Sequence, residues 1–67
     1  MTTEGYQQRI ITEKAELDEK LAKLDAFGRT DRFASLSDDE QGRLNRQHSL
    51  MEEYSAVLGE RIANFSV

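Results

Sequence analysis

Apolar residues recur along this chain at the spacing of an α-helix. Tyr6, Ile10, Leu17, Leu21, Leu24 and Phe27 follow one another at intervals of three, four or seven, so one stripe of a helix carries them all. Leu44, Met51, Leu58 and Phe65 repeat every seven residues, and Tyr54 and Ile62 fill the same face of a second helix. Neither segment alternates with period two, which argues against strands. The boundaries carry their own signals. Helix one spans about 3–27, starting near Thr2 or Thr3, with Gly28 placed to end it in a left-handed conformation. Ser37-Asp38-Asp39-Glu40 fits a capping box, and its two aspartates suit the positive end of a helix running over about 38–65. The connection, 28–36, contains Phe33 and Leu36, which are too apolar for a free linker. A short turn of helix is expected there, folding Phe33 back over the loop end. If Leu24 faces Leu44, the residue numbers sum to 68, and the same sum pairs Leu17 with Met51, Ile10 with Leu58 and Tyr6 with Ile62. The predicted fold class is all-α, an antiparallel two-helix hairpin with a short helical turn in the connection.

Length and composition narrow the picture. Sixty-seven residues make one domain, and the absence of proline suits helix almost throughout. With no cysteine there is no disulfide framework, thiolate metal site or thiol nucleophile. The longest apolar run is Ala56-Val57-Leu58, so no membrane span is expected, and no signal-peptide core precedes the polar start. A cytoplasmic chain follows as the expectation. Thirteen acidic residues against nine basic ones, a net charge of −4, disfavour general nucleic-acid binding. Two helices alone bury only the seam between them, a marginal core for an unstapled chain. Leu50 and Val57, seven apart, lie to one side of the main stripe, and Ile11 plays a similar part on helix one. Together with Tyr54 they form a candidate interface through which hairpins would self-associate into a helical bundle. The alternative is that they are ordinary exposed apolar residues.

Catalytic chemistry is sparse. His48 is the only histidine, so a metal cluster built on histidines is excluded, and its position beside Leu44 and Met51 suits a packing residue. The acids Glu13, Glu16, Asp18 and Glu19 are interleaved with Lys14, Lys20 and Lys23, the pattern of a solvated helix face. The four glycines are scattered and form no phosphate-cradling loop. Neither a cofactor nor an enzymatic activity is expected. The arginines are more informative. Arg29, Arg32, Arg43 and Arg46 fall at the loop end of the hairpin, where planar guanidiniums would clamp phosphate or carboxylate groups. Local pairing, Arg29 with Asp31 and Arg43 with Asp39, is the competing reading. At the opposite end Tyr6, Gln7, Gln8 and Arg9 come near Arg61 and Asn64, a set able to stack on and hydrogen-bond a nucleotide, or equally to form a plain hairpin rim.

The run from Glu13 to Phe27, the pattern of Phe33, Leu36, Glu40-Gln41, Leu44, Gln47, Met51, Tyr54, Leu58, Arg61-Ile62 and Phe65, and Tyr6-Gln7-Gln8-Arg9 together resemble a family of very short tailed-phage and prophage proteins, known by their relation to a crAss-like phage protein. Gly28 departs from that family, which has an apolar residue after the Phe27 position. The resemblance carries over no functional residue. It implies a phage accessory gene expressed in the cytoplasm of a bacterial host, and small phage proteins often act stoichiometrically against host defence. Three roles fit. One is a sponge that sequesters a nucleotide immune signal between helices. Another is an inhibitor or adaptor that covers a host defence protein with a helix face. The third is a structural accessory protein whose partner is itself.

Overall fold

The computed structural model describes residues 5–65, which form α1 (Gly5–Phe27), α2 (Asp31–Ala34) and α3 (Asp38–Ala63). The expected start of helix one at Thr2 or Thr3 lies outside the described residues. α1 and α3 pack antiparallel along their length into a rod of 51 × 14 × 13 Å. Its radius of gyration is 15.4 Å, against about 11 Å for a compact chain of this length. Buried Ile10, Leu17 and Leu58 form the core, with Met51, Ile62 and Phe65 packed against them. Leu58 is wholly enclosed.

The connection is built differently from the expectation at Gly28. No described glycine has a positive φ. The Gly28 N–H still donates to the Leu24 carbonyl at 3.0 Å, and those of Arg29 and Thr30 turn inward to Ala26 and Phe27. These tightened bonds satisfy the carbonyls at the end of α1, so a left-handed residue is not needed. Thr30 makes the corner: its hydroxyl donates to the Phe27 carbonyl at 2.6 Å and accepts from the Phe33 N–H at 3.2 Å, capping α2. The expected helical turn therefore exists. Its Phe33 ring meets Phe27 edge to face at 5.9 Å. The Gln41 amide donates to the Ala34 and Leu36 carbonyls and ties the connection to α3.

At the start of α3, the Ser37 hydroxyl accepts from the Glu40 N–H at 3.1 Å, one half of the capping box. The Glu40 carboxylate is engaged by Arg43 Nε at 2.9 Å. α3 stops at Ala63, two residues before the expected end. There the Asn64 side chain donates to the Glu60 carbonyl at 2.8 Å and turns the chain out of the helix. Phe65 folds back onto the core beside Tyr6.

Members of the expected pairs, Ile10 with Leu58 and Leu17 with Met51, lie together in the core cluster. Cross-helix contacts also join Lys14 with Ser55, Tyr6 with Phe65, Asp25 with His48, and Asp18 with Ser55. The polar contacts across the seam centre on Ser55. It is four residues from Met51 and three from Leu58, and it occupies the seam position assigned to Tyr54, which is 46% exposed. Tyr6, expected on the seam, is 52% exposed.

Candidate functional site

Polar chemistry inside the seam centres on Ser55, which is buried beside two residues of α1. Lys14 Nζ donates to Asp18 Oδ2 at 2.7 Å and to Ser55 Oγ at 3.1 Å, while Ser55 Oγ donates to Asp18 Oδ1. Lys14 and Asp18, read from the sequence as part of a solvated face, therefore clasp the two helices together. Small residues make this possible. Ser55 and Gly59 are one turn apart, and a Cβ on Gly59 would stand 3.2 Å from Lys14 Cε, so the lysine stem crosses α3 where α3 has almost no side chain. The Asp18 carboxyl is held below its ordinary pKa, first by the hydrogen bond from Lys14, then by that from Ser55, with the lysine charge adding to both. A serine beside a lysine can be a nucleophile with its base. Here the serine proton is given to Asp18 and the same carboxylate holds the lysine charge, so the arrangement is a clasp. Sequence reasoning missed Ser55; its seam spacing was the available signal.

At the loop end a cavity of about 300 Å³ is lined by Leu24, Phe33 and Leu44, with Asp25, Arg29, Asn45 and His48 among its polar walls. His48, half-buried as expected, has Nε2 3.6 Å from Asp25 and Nδ1 3.6 Å from Glu52. Arg29 pairs with Asp25 at 2.7 Å rather than with Asp31, and Arg43 pairs with Glu40 rather than Asp39. Asp25 stands four residues before Arg29, one helical turn away, and Arg43 takes Glu40 at three residues over Asp39 at four. The four loop-end arginines do not line one cavity. Arg29 belongs to this one, Arg32 is exposed on α2, and Arg43 and Arg46 turn to a flank of α3.

That flank holds a groove of about 460 Å³ lined by Arg43, Arg46, Gln47, Leu50, Met51 and Tyr54. Leu50, Tyr54 and Val57, at 58%, 46% and 50% exposure, continue along it as one stripe. Ile11, the fourth candidate interface residue, is also exposed, but it lies three and seven residues from Lys14 and Asp18 and shares their side of α1. The stripe therefore consists of three residues on α3, with Ile11 apart from them.

At the open end the Tyr6 ring tilts against Phe65 with centroids 6.1 Å apart, leaving half of Tyr6 in solvent. Arg9 and Arg61 are exposed, and Gln7 is half-buried. Asn64 is committed to the α3 terminus. Among the described residues, no group of histidine and carboxylate side chains is placed to hold a metal ion, and no helix is long and apolar enough to cross a membrane.

A protein-family model described as Sequestin matches residues 4–64, nearly the whole chain. No curated protein and no solved structure matches it.

Proposed function

The chain belongs to the Sequestin family, and from that premise we propose that it is a small non-enzymatic binding protein that sequesters a nucleotide immune signal, one for one, on behalf of a phage in the cytoplasm of its bacterial host. The family name speaks of sequestering. The nucleotide is argued from side-chain chemistry. The observation that carries it is the groove on α3, where the half-exposed Tyr54 ring lies among the guanidiniums of Arg43 and Arg46 and the apolar surface of Leu50 and Met51. A ring of this kind stacks on a base, and arginine forks pair with phosphate oxygens. In a chain of net charge −4, such clustering of arginines is what an anionic ligand requires. Tyr6, Gln7, Arg9 and Arg61 at the open end offer a second set of the same chemistry, and Arg29 and Arg32 a third at the loop.

One observation favours a second reading. Leu50, Tyr54 and Val57 leave an apolar stripe in solvent, as a protein inhibitor or adaptor would need for docking on a host defence protein. A purely structural, self-assembling accessory protein would use the same stripe. Native mass spectrometry of the purified chain, alone and with cyclic oligonucleotides and cyclic ADP-ribose isomers, separates these readings. Retention of one nucleotide at fixed stoichiometry, lost in Arg46→Gln, is the expected result. Indifference to the whole panel would remove the sponge reading and direct work to host proteins.

A further inference from the structure

The stripe on α3 has a property that a docking face for an unrelated protein would not need: two arginine and two apolar positions are spaced symmetrically about one point. Arg46, Leu50, Tyr54, Val57 and Arg61 lie along one flank of α3, and reversing the helix about the point between Glu53 and Tyr54 exchanges Arg46 with Arg61 and Leu50 with Val57. An isologous contact demands this kind of self-complementarity, since each patch must meet its own copy reversed. Among the described residues a single copy buries Ile10, Leu17 and Leu58 as core apolar residues, a small hydrophobic core for an independent domain. The natural occupant of the flank is a second copy of this chain.

We propose that two copies pair antiparallel through this flank of α3, Leu50 on the partner's Val57 with Tyr54 set beside the two-fold axis, and that each end of the interface is a phosphate clamp completed only in the pair. Each clamp joins Arg46 and Arg43 of one copy to the partner's Arg61. The proposal rests on the sequestering reading above, names the phosphate as the part of the ligand held by these arginines, and gives Tyr54 to the interface in place of the base. Among the described residues neither Arg46 nor Arg61 has an ion-pair partner, whereas Arg43 is held by Glu40. Pairing brings these two free guanidiniums to the same level across helices whose axes stand about 8–10 Å apart. Their mutual repulsion opposes association until an anion lies between them. A phosphate group, able to accept from two guanidinium forks at once, fits that gap. Fifteen residues of helix separate Arg46 from Arg61, so the two clamps stand about 22 Å apart on opposite ends of the dimer. Phosphate binding and dimerisation are then thermodynamically linked: each strengthens the other.

Sedimentation equilibrium of the full chain tests this, comparing sodium chloride with pyrophosphate at matched ionic strength. The expected outcome is an assembly built from pairs that tightens in pyrophosphate by roughly 5- to 150-fold, the usual range of such coupling. Leu50→Glu with Val57→Glu, both on the exposed stripe, should stay helical by circular dichroism and become monomeric. Arg46→Gln should associate at least as well as the parent in chloride, because one repelling charge is gone, and lose the pyrophosphate response. A monomer under every condition would overturn the proposal. So would association that survives the double glutamate variant, or a pyrophosphate response that survives both Arg46→Gln and Arg61→Gln. Nucleotide capture by an assembly formed through another surface would overturn this interface and leave the sequestering role standing. A pyrophosphate-linked dimer that retains none of the nucleotide panel would uphold the interface and remove the nucleotide reading alone.

Discussion

Truncating Leu58 to alanine is the sharpest test of where the core lies. Leu58 is fully enclosed and belongs to the same cluster as Ile10 and Leu17. Leucine-to-alanine changes at such sites cost about 2–5 kcal/mol, the larger values arising where the surroundings cannot collapse into the void. A seam between two helices is backed by no third layer and can close partly, so the lower part of that range, about 2–3 kcal/mol, is expected. For a domain of this size each kcal/mol moves Tm by about 4–8 °C, giving a fall of about 10–20 °C. Thermal unfolding followed by far-ultraviolet circular dichroism reads it directly. The control is Leu50→Ala, the same chemical change at a residue 58% exposed, for which a surface effect within about 0.5 kcal/mol is expected in the monomer. Both melts should be run dilute, where association does not contribute. Equal losses for the two variants under those conditions would refute the assignment of the seam and, with it, the assignment of the α3 flank as free surface.

Three further outcomes follow from local features. Asp18 titrates below the ordinary carboxylate range when folded, so its contribution to stability is present above the unfolded value and is lost as pH falls through the lowered folded one; Asp18→Asn should flatten the acid limb of a stability profile below about pH 4, and an unchanged limb would contradict the clasp. A Cβ on Gly42 would meet nothing within 4 Å, so Gly42→Ala should stabilise by about 0.8–1 kcal/mol. Gly59→Ala should gain less because Lys14 must give way, and urea midpoints of the two variants compare them. Ser37→Ala removes the hydroxyl that accepts from the Glu40 N–H and should cost about 1 kcal/mol in the same denaturation assay.

Helical spacing and end signals made the hairpin, the short helix carrying Phe33 and the Ser37 cap legible from sequence, because each depends on residues close together in the chain. The seam-facing residue of α3 was harder to read for a specific reason. Tyr54 and Ser55 both sit at helical spacing from Met51 and Leu58, and hydrophobicity alone favours tyrosine. The decision is made across the seam, where Lys14 and Asp18 supply partners that only a small hydroxyl-bearing residue can meet. The loop-end arginines were grouped by their closeness in sequence, yet Arg29 lies in the connection after α1 and Arg46 on α3, where they border different cavities. The symmetric spacing of the stripe is a property of the letters that was not read there. Its meaning depends on those side chains remaining in solvent in a single copy.

The rod shape has a kinetic consequence. Contacts at the loop end, such as Asp25 with His48, close a short stretch of chain, the Lys14–Ser55 clasp closes 41 residues, and Tyr6 with Phe65 spans nearly everything described. Closure entropy rises with the length of chain enclosed, so the hairpin zips from Phe33 toward the termini and frays in the reverse order. Amide hydrogen exchange should therefore be slowest on the loop side of the clasp and quicken toward Tyr6 and Arg61. The open end is the last part of the protein to form and the first to let go.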